Sequence, residues 1–304
     1  MGDFIQFWII GLGLATVRFA APFVLAGLGG LFSERAGIVN IALEGMMVAG
    51  AFFAIYGSDV TGHGVGGLAV GVGAGMLLGL IHAVATVSLR ADQIISGTAL
   101  ILIAAGLVNY LSVTLYPPPQ GTPASVSRPP LIPLPGDEKI SILVLAMFLA
   151  VAVTIFVVFR TPFGLRLRAV GEHPKAADTV GIDVYRMRYI AVIISGGLAG
   201  LAGAYVSFEV GSYTEGMIAG KGFIALAALI FGKWHPLGVL AASMLFGFSQ
   251  ALALRLPNVE AIPEALRAPE LLTALPYLIT VIALAGFVGR SVGPAAVGKP
   301  YVKG

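Results

Sequence analysis

The sequence predicts an all-α polytopic bundle of transmembrane helices, about nine spans (eight to ten) including one short or re-entrant segment. Composition is the first reason. Of the 304 residues, 58% are hydrophobic and 11% charged, whereas a soluble domain carries about 25% charged residues. Period is the second: the long apolar runs show no two-residue alternation, and in hydrocarbon the polar backbone of a lone segment pairs only as a helix. The third is punctuation, because polar turns cut the chain into pieces near the roughly 20 apolar residues that cross about 30 Å of hydrocarbon.

Residues 4–32 supply the first span, interrupted by Arg18, and 38–56 the second, with a short polar hinge at 33–37. Residues 66–89 and 94–115 form the third and fourth, joined by a turn at 90–93. Eight prolines in residues 116–139 end helical structure there and imply an extended loop of polyproline character. Residues 140–159 are the fifth span and 189–208 the sixth, whose Ser195, Gly196, Gly197, Ala199, Gly200, Gly203 and Ala204 admit a neighbouring helix at short range. After a polar patch at 209–220, the run 223–231 is too short to cross alone and reads as a half-span ending at 232–236. Residues 237–254 cross, a loop with Glu260, Glu264 and Glu270 follows, and 271–288 make the last crossing. The chain reads as one transmembrane domain over 1–304.

Residues 160–188 are the long polar interruption in this pattern. They carry Arg160, Arg166, Arg168, Lys175, Arg186 and Arg188 against Glu172, Asp178 and Asp183, and such an excess of Lys and Arg marks a cytoplasmic loop. Alternation then puts the N-terminus outside and the C-terminus inside, with the proline-rich and acidic loops outside. The opening residues lack the basic start of a cleavable signal peptide.

Several function classes are excluded. Zero cysteines rule out disulfides, thiolate metal sites and cysteine nucleophiles. Four scattered histidines show no metal-ligand spacing, and no Ser-His-Asp arrangement can be argued. The net charge of +3 follows from the cytoplasmic loops and gives no reason to invoke nucleic acid. No phosphate-binding glycine-rich loop occurs, so energy for uphill transport comes from elsewhere.

Inside the basic loop, Pro174 suits a first helical turn, Glu172 lies near its positive end, and Gly181 suits a C-terminal cap. The expectation is a helix of about two turns with Ala176, Ala177 and Val180 as its apolar face. Alone it is marginal, so it is either a docking knob for a cytoplasmic partner or part of an ordinary solvated loop.

Residues 161–182, TPFGLRLRAVGEHPKAADTVGI, resemble the cytoplasmic coupling segment of ABC importer permeases of the branched-chain amino acid, ribose and nucleoside superfamily. Residues 31–47, LFSERAGIVNIALEGMM, are similar to a segment typical of its simple-sugar and nucleoside branch. The resemblance implies a permease subunit in a bacterial inner membrane, with ATP and magnesium on a separate cytoplasmic ATPase and no cofactor on this chain. It implies a second homologous permease, an extracytoplasmic substrate-binding protein, and Gly171, Glu172, His173, Pro174, Ala176, Ala177 and Gly181 as the coupling residues. A nucleoside or simple sugar is the implied cargo; branched-chain amino acids, or a stand-alone secondary transporter or channel, are the alternatives.

Glu44 lies within an apolar stretch, where an ionisable group is costly unless paired or facing a polar cavity. Asn40 and Glu44 are spaced to share a helix face and are candidates for the substrate path. The competing reading is that Glu34, Arg35 and Glu44 pair to fix a tight turn. Asn109, beside Tyr110, either lines the pathway or makes an interhelical hydrogen bond. Arg18 pairs with a neighbour's carboxylate or snorkels, His82 reads as a satisfied core histidine, and Trp8 and Trp234 read as interface anchors.

Overall fold

A computed structural model describes residues 11–117, 126–133, 139–256, 278 and 291–303. The start of the first predicted span, much of the proline-rich loop, the acidic loop and nearly all of the final span lie outside these residues.

The described helices are Leu12–Arg35 (α1), Leu43–Thr61 (α2), Gly64–Ala83 (α3), Gln93–Leu115 (α4), Ile142–Arg160 (α5), Pro162–Glu172 (α6), Pro174–Thr179 (α7), Val184–Val210 (α8), Lys221–Phe231 (α9) and Pro236–Arg255 (α10). A π-turn, Val84–Ser88, extends α3. Side-chain caps set several starts: Asp92 accepts from the amides of Ile94 and Ile95, Thr161 from Gly164, and Asp183 from Arg186. Such caps satisfy donors that the first helical turn leaves unpaired.

Six of these helices are long and apolar enough to cross a membrane: α1, α3 with its π-turn, α4, α5, α8 and α10. Helix α2 is 19 residues long, the same length as α5, and with α1 and α8 is the most enclosed part of the bundle. Backbone packs on backbone there. A Cβ at Gly50 would strike Gly200 of α8, one at Gly75 the carbonyl of Gly196, and one at Gly203 that of Met47. The small residues foreseen in the sixth span therefore join α2, α3 and α8 at van der Waals range, which replaces a hydrophobic drive that lipid does not supply.

Three expectations change. The basic stretch is not one loop: Thr161 and Pro162 start a separate helix, α6, and Asp183 starts α8 five residues before the predicted span, so Arg188 is fully buried on that helix. The loop of residues 116–139 is not unpaired throughout, since Leu131–Pro133 (β1) pairs antiparallel with Lys139–Ser141 (β2), Ile132 opposite Ile140. The second span does not start at residue 38, because residues 36–42 are non-helical and mostly buried, and α2 begins at Leu43.

The bundle has two distinguishable ends. At one, α6, α7 and residues 291–303 meet the end of α1: Arg188 donates to the carbonyls of Ala36 (3.1 Å) and Lys299 (3.2 Å). At the other, Ser58 donates to the Ser127 carbonyl (2.6 Å), Ser127 to the Gly62 carbonyl (2.9 Å) and Tyr116 to Asp59 (2.8 Å).

Candidate functional site

The break between α1 and α2 is pinned by side chains from four helices, α1, α3, α4 and α8. Ser33 donates to the Ile38 carbonyl (2.7 Å), and the Val39 amide donates to Gln93 (2.7 Å). His82 Nε2 lies 3.1 Å from the Val39 carbonyl and its Nδ1 3.0 Å from Ser96 Oγ, so His82 is a satisfied core histidine, as expected. Asn40, fully buried, donates through Nδ2 to Ser195 Oγ on α8 (2.9 Å). The groups paired here would otherwise sit unpaired in the core, where each costs about 1–3 kcal/mol; Asn40 Oδ1 and Gln93 Nε2 are buried there without a protein partner.

Asn40 precedes α2, so it and Glu44 share no helix face, and their partners differ. The Glu44 carboxylate accepts from the Gly220 amide through Oε1 (2.7 Å) and from the Gly222 amide through Oε2 (2.6 Å). These amides open α9, whose N-terminus is thus capped by a carboxylate from another helix. Charge and donors match, because a helix N-terminus carries partial positive charge and unpaired N–H groups. Gly222 makes the approach possible: a Cβ there would stand 2.6 Å from the Glu44 Cα and 2.6 Å from its N.

Helix α9 is 11 residues, about 16 Å at 1.5 Å per residue, and matches the predicted half-span. Its far end reaches the residues expected to pair with Glu44. Glu34 instead accepts from the Trp234 indole (2.5 Å), and Arg35 donates to the Trp234 carbonyl from Nε (3.2 Å) and one terminal nitrogen (2.7 Å). The pairing of Glu34, Arg35 and Glu44 is therefore replaced by two separate clamps, one at each end of α9. Trp234 is 8% exposed and no interface anchor; Trp8 lies outside the described residues. Lys233 and Trp234 both take positive φ, 53° and 52°, strained for side-chain-bearing residues, and the clamp holds them there.

Above the Glu44 clamp, a cavity of about 400 Å³ lies between the first half of α1, the last turns of α8 and the residues leading into α9. Arg18, Glu209 and Lys221 reach it. Arg18 also donates to the Lys139 carbonyl, and its own carbonyl accepts from the Tyr205 hydroxyl (3.1 Å). Asn109 lies elsewhere, on the exposed face of α4. Among the described residues, no group of three His, Asp or Glu side chains could hold a metal.

The helix expected at Pro174, at the other end, is shorter than expected. Helix α7 spans six residues with Pro174 first. It ends in a Schellman arrangement: Gly181, at φ +84°, donates to the Asp178 carbonyl (2.9 Å) and Ile182 to that of Ala177 (3.0 Å). Ala177 is 3% exposed, whereas Ala176 faces out and Val180 is 75% exposed. The three do not form one face; Ala177 holds the helix to the bundle and the other two point away. Gly171 packs on the Arg35 carbonyl, where a Cβ would clash. His173 bridges α6 and α7, its amide donating to the Ala169 carbonyl (2.9 Å) and its carbonyl accepting from Ala177 (2.9 Å).

Sequence reasoning missed the strap that residues 291–303 lay beside α7. The Ala296 amide donates to the Gly171 carbonyl (2.9 Å), Ala295 to Glu172 Oε2 (3.2 Å) and Gly298 to the Gly37 carbonyl (3.2 Å), while Lys303 lies 3.9 Å from Asp178. The glycines and prolines of this run, Gly293, Pro294, Gly298 and Pro300, mark turns but carry no signal of what the segment touches.

The chain matches the family model described as branched-chain amino acid transport system / permease component over residues 13–284. It is 44% identical to the guanosine ABC transporter permease protein NupQ of Bacillus subtilis (strain 168), over 95% of this chain and 96% of that protein. It is 38% identical to the putative glucose ABC transporter permease protein TsgC13 of Haloferax volcanii, over 92% of each. A second Bacillus subtilis protein, the guanosine ABC transporter permease protein NupP, is 27% identical over 86% of this chain and 78% of its own length. No solved structure matches the chain.

Proposed function

The chain belongs to the branched-chain amino acid transport system permease-component family, and on that premise we propose that it forms the translocation pathway of an ABC importer for a nucleoside. As a permease component it is a multi-pass transport subunit and not an enzyme. The nucleoside cargo rests on the relative named for guanosine; the relative named for glucose makes a simple sugar the competing cargo.

ATP and magnesium belong to a separate cytoplasmic ATPase. Helix α7 is the proposed contact, and the observation that carries this is its two-sidedness. Ala177 is buried in the chain while Lys175, Ala176 and Val180 face outward on a helix too short to stand alone. Gly171 and Gly181 shape its ends, Glu172 and His173 join it to α6 and the strap, and Pro174 starts it. A second, homologous permease completes the pathway, a reading supported by the two guanosine permease proteins of one organism that both resemble this chain. A substrate-binding protein delivers cargo from outside the bacterial cytoplasmic membrane.

Counting α2 as a crossing, and residues 211–231 as one crossing made of a loop and a half-helix, gives eight spans. The apolar run 271–288 supplies the ninth, with the N-terminus outside, the C-terminus inside and residues 1–304 as one domain. Asn40 and Glu44 then hold the broken elements that border the path, and Asn109 faces lipid or the second permease.

The test separates coupling from folding. Ala176→Arg adds bulk to an exposed position and is expected to abolish ATPase copurification and guanosine uptake while the purified chain melts normally. Ala177→Arg disrupts the chain itself and is expected to lower the melting temperature. Wild-type ATPase capture by Ala176→Arg refutes the docking role of α7.

A further inference from the structure

Ionisable side chains at membrane depth are expensive and gather where a polar pathway runs. Arg18 on α1, Glu209 on α8 and Lys221 at the start of α9 come from three separate elements and line the one cavity of about 400 Å³ with Phe19, Tyr205 and Met217. Its wall is mostly carbon, with Phe19, Val206 and Met217 in the lining and charges of both signs among them. Ligand pockets run about 300–1,000 Å³, so this one suits a molecule of two or three rings rather than a chain or a large glycoside.

Lys221 has a particular position. Its ammonium donates to the carbonyls of Met217 (2.9 Å) and Ile218 (3.2 Å), which turns the side chain back over the loop that leads into α9. Its flanking residues, Gly220 and Gly222, donate their amides to Glu44. The cavity floor is therefore the Glu44-capped end of α9, and the other end of that helix is held by Glu34 and Arg35 through Trp234. The Arg35 carbonyl in turn bears on Gly171, beside α7. One rigid helix of about 16 Å thus has one end at the cavity and the other at the docking face.

We infer that this cavity is where the chain receives its nucleoside, with the base against Phe19. The ribose hydroxyls donate to Glu209 and accept from Arg18 and Lys221. The inference rests on the proposed cargo and adds the residues that recognise it. A neutral sugar with adjacent hydroxyls uses a carboxylate and cations together, and a flat base uses the carbon wall.

The experiment uses the complete transporter with its ATPase in proteoliposomes, at saturating binding protein, and follows tritiated guanosine and its 2′,3′-dideoxy analogue. Wild type is expected to prefer guanosine. Glu209→Gln is expected to cut that preference about tenfold, the effect of weakening a hydrogen bond to a charged group. Met217→Trp fills the cavity and is expected to lower uptake of both with ATPase capture unchanged. If wild type takes up guanosine and both variants match it in rate and preference, the cavity assignment is overturned while the cargo reading stands. If wild type takes up neither nucleoside, or if leucine or glucose is carried instead, the cargo reading falls and the nucleoside assignment of the cavity falls with it.

Discussion

Glu44→Ala removes both acceptors at the start of α9. The Gly220 and Gly222 amides, at 2.7 and 2.6 Å from the carboxylate, then have no partner at a place where Glu44 itself is 7% exposed. Each buried unpaired donor costs about 1–3 kcal/mol, so the pair costs about 2–6 kcal/mol. Glu44→Gln keeps one acceptor and turns an NH₂ toward the other amide, which loses one bond and opposes two donors, about half the damage. The assay is thermal unfolding in detergent together with guanosine uptake. For a chain of this size about 2–4 °C accompanies each kcal/mol, so Ala is expected to lower the melting temperature by about 4–24 °C and Gln by less. Uptake should fall in the same order. A melting temperature and an uptake rate unchanged in Glu44→Ala would refute the clamp, because no other group in the described structure takes these two hydrogen bonds.

The same clamp is reached from the opposite side by Gly222→Ala, whose added Cβ meets the Glu44 backbone at 2.6 Å and cannot be relieved by a side-chain rotation; it should destabilise the chain about as much as Glu44→Ala, measured the same way, and a neutral outcome would mean that α9 has room to withdraw. At the other end of α9, Glu34→Ala removes the acceptor of the buried Trp234 indole; in a Trp8→Phe background, acrylamide quenching of the remaining tryptophan should rise, and unchanged quenching would show that the indole does not depend on Glu34.

Architecture was legible wherever one helix alone decides the matter. The apolar lengths of α3, α4, α5 and α10, the shortness of α9 and the small-residue face of α8 are local properties, and local composition reports them. The partners of Glu44 were not, because Gly220 and Gly222 lie about 180 residues away in sequence and backbone amides carry no residue-type signal. Glu34 and Arg35 stood nearer in sequence, and nearness suggested the wrong pairing. Arg188 shows a related limit. A rule that counts basic residues in loops sees only its charge, while Asp183 begins a helix that carries the guanidinium into the core between two chain segments. Around α7 the proline and glycine positions marked both ends of the helix, yet only packing distinguishes the buried Ala177 from the outward-facing Ala176.

The strap has a consequence for the order in which the molecule is made. Residues 291–303 follow every described helix along the chain, yet they contribute an acceptor to Arg188, a donor to the Gly171 carbonyl and one to Glu172. While those residues are still inside the ribosome, the helices upstream can insert and pack, but the face around α7 lacks one of its walls. The face around α7 is therefore built from segments 123 residues apart in sequence, and removing residues 291–303 would open it while leaving every described helix in place.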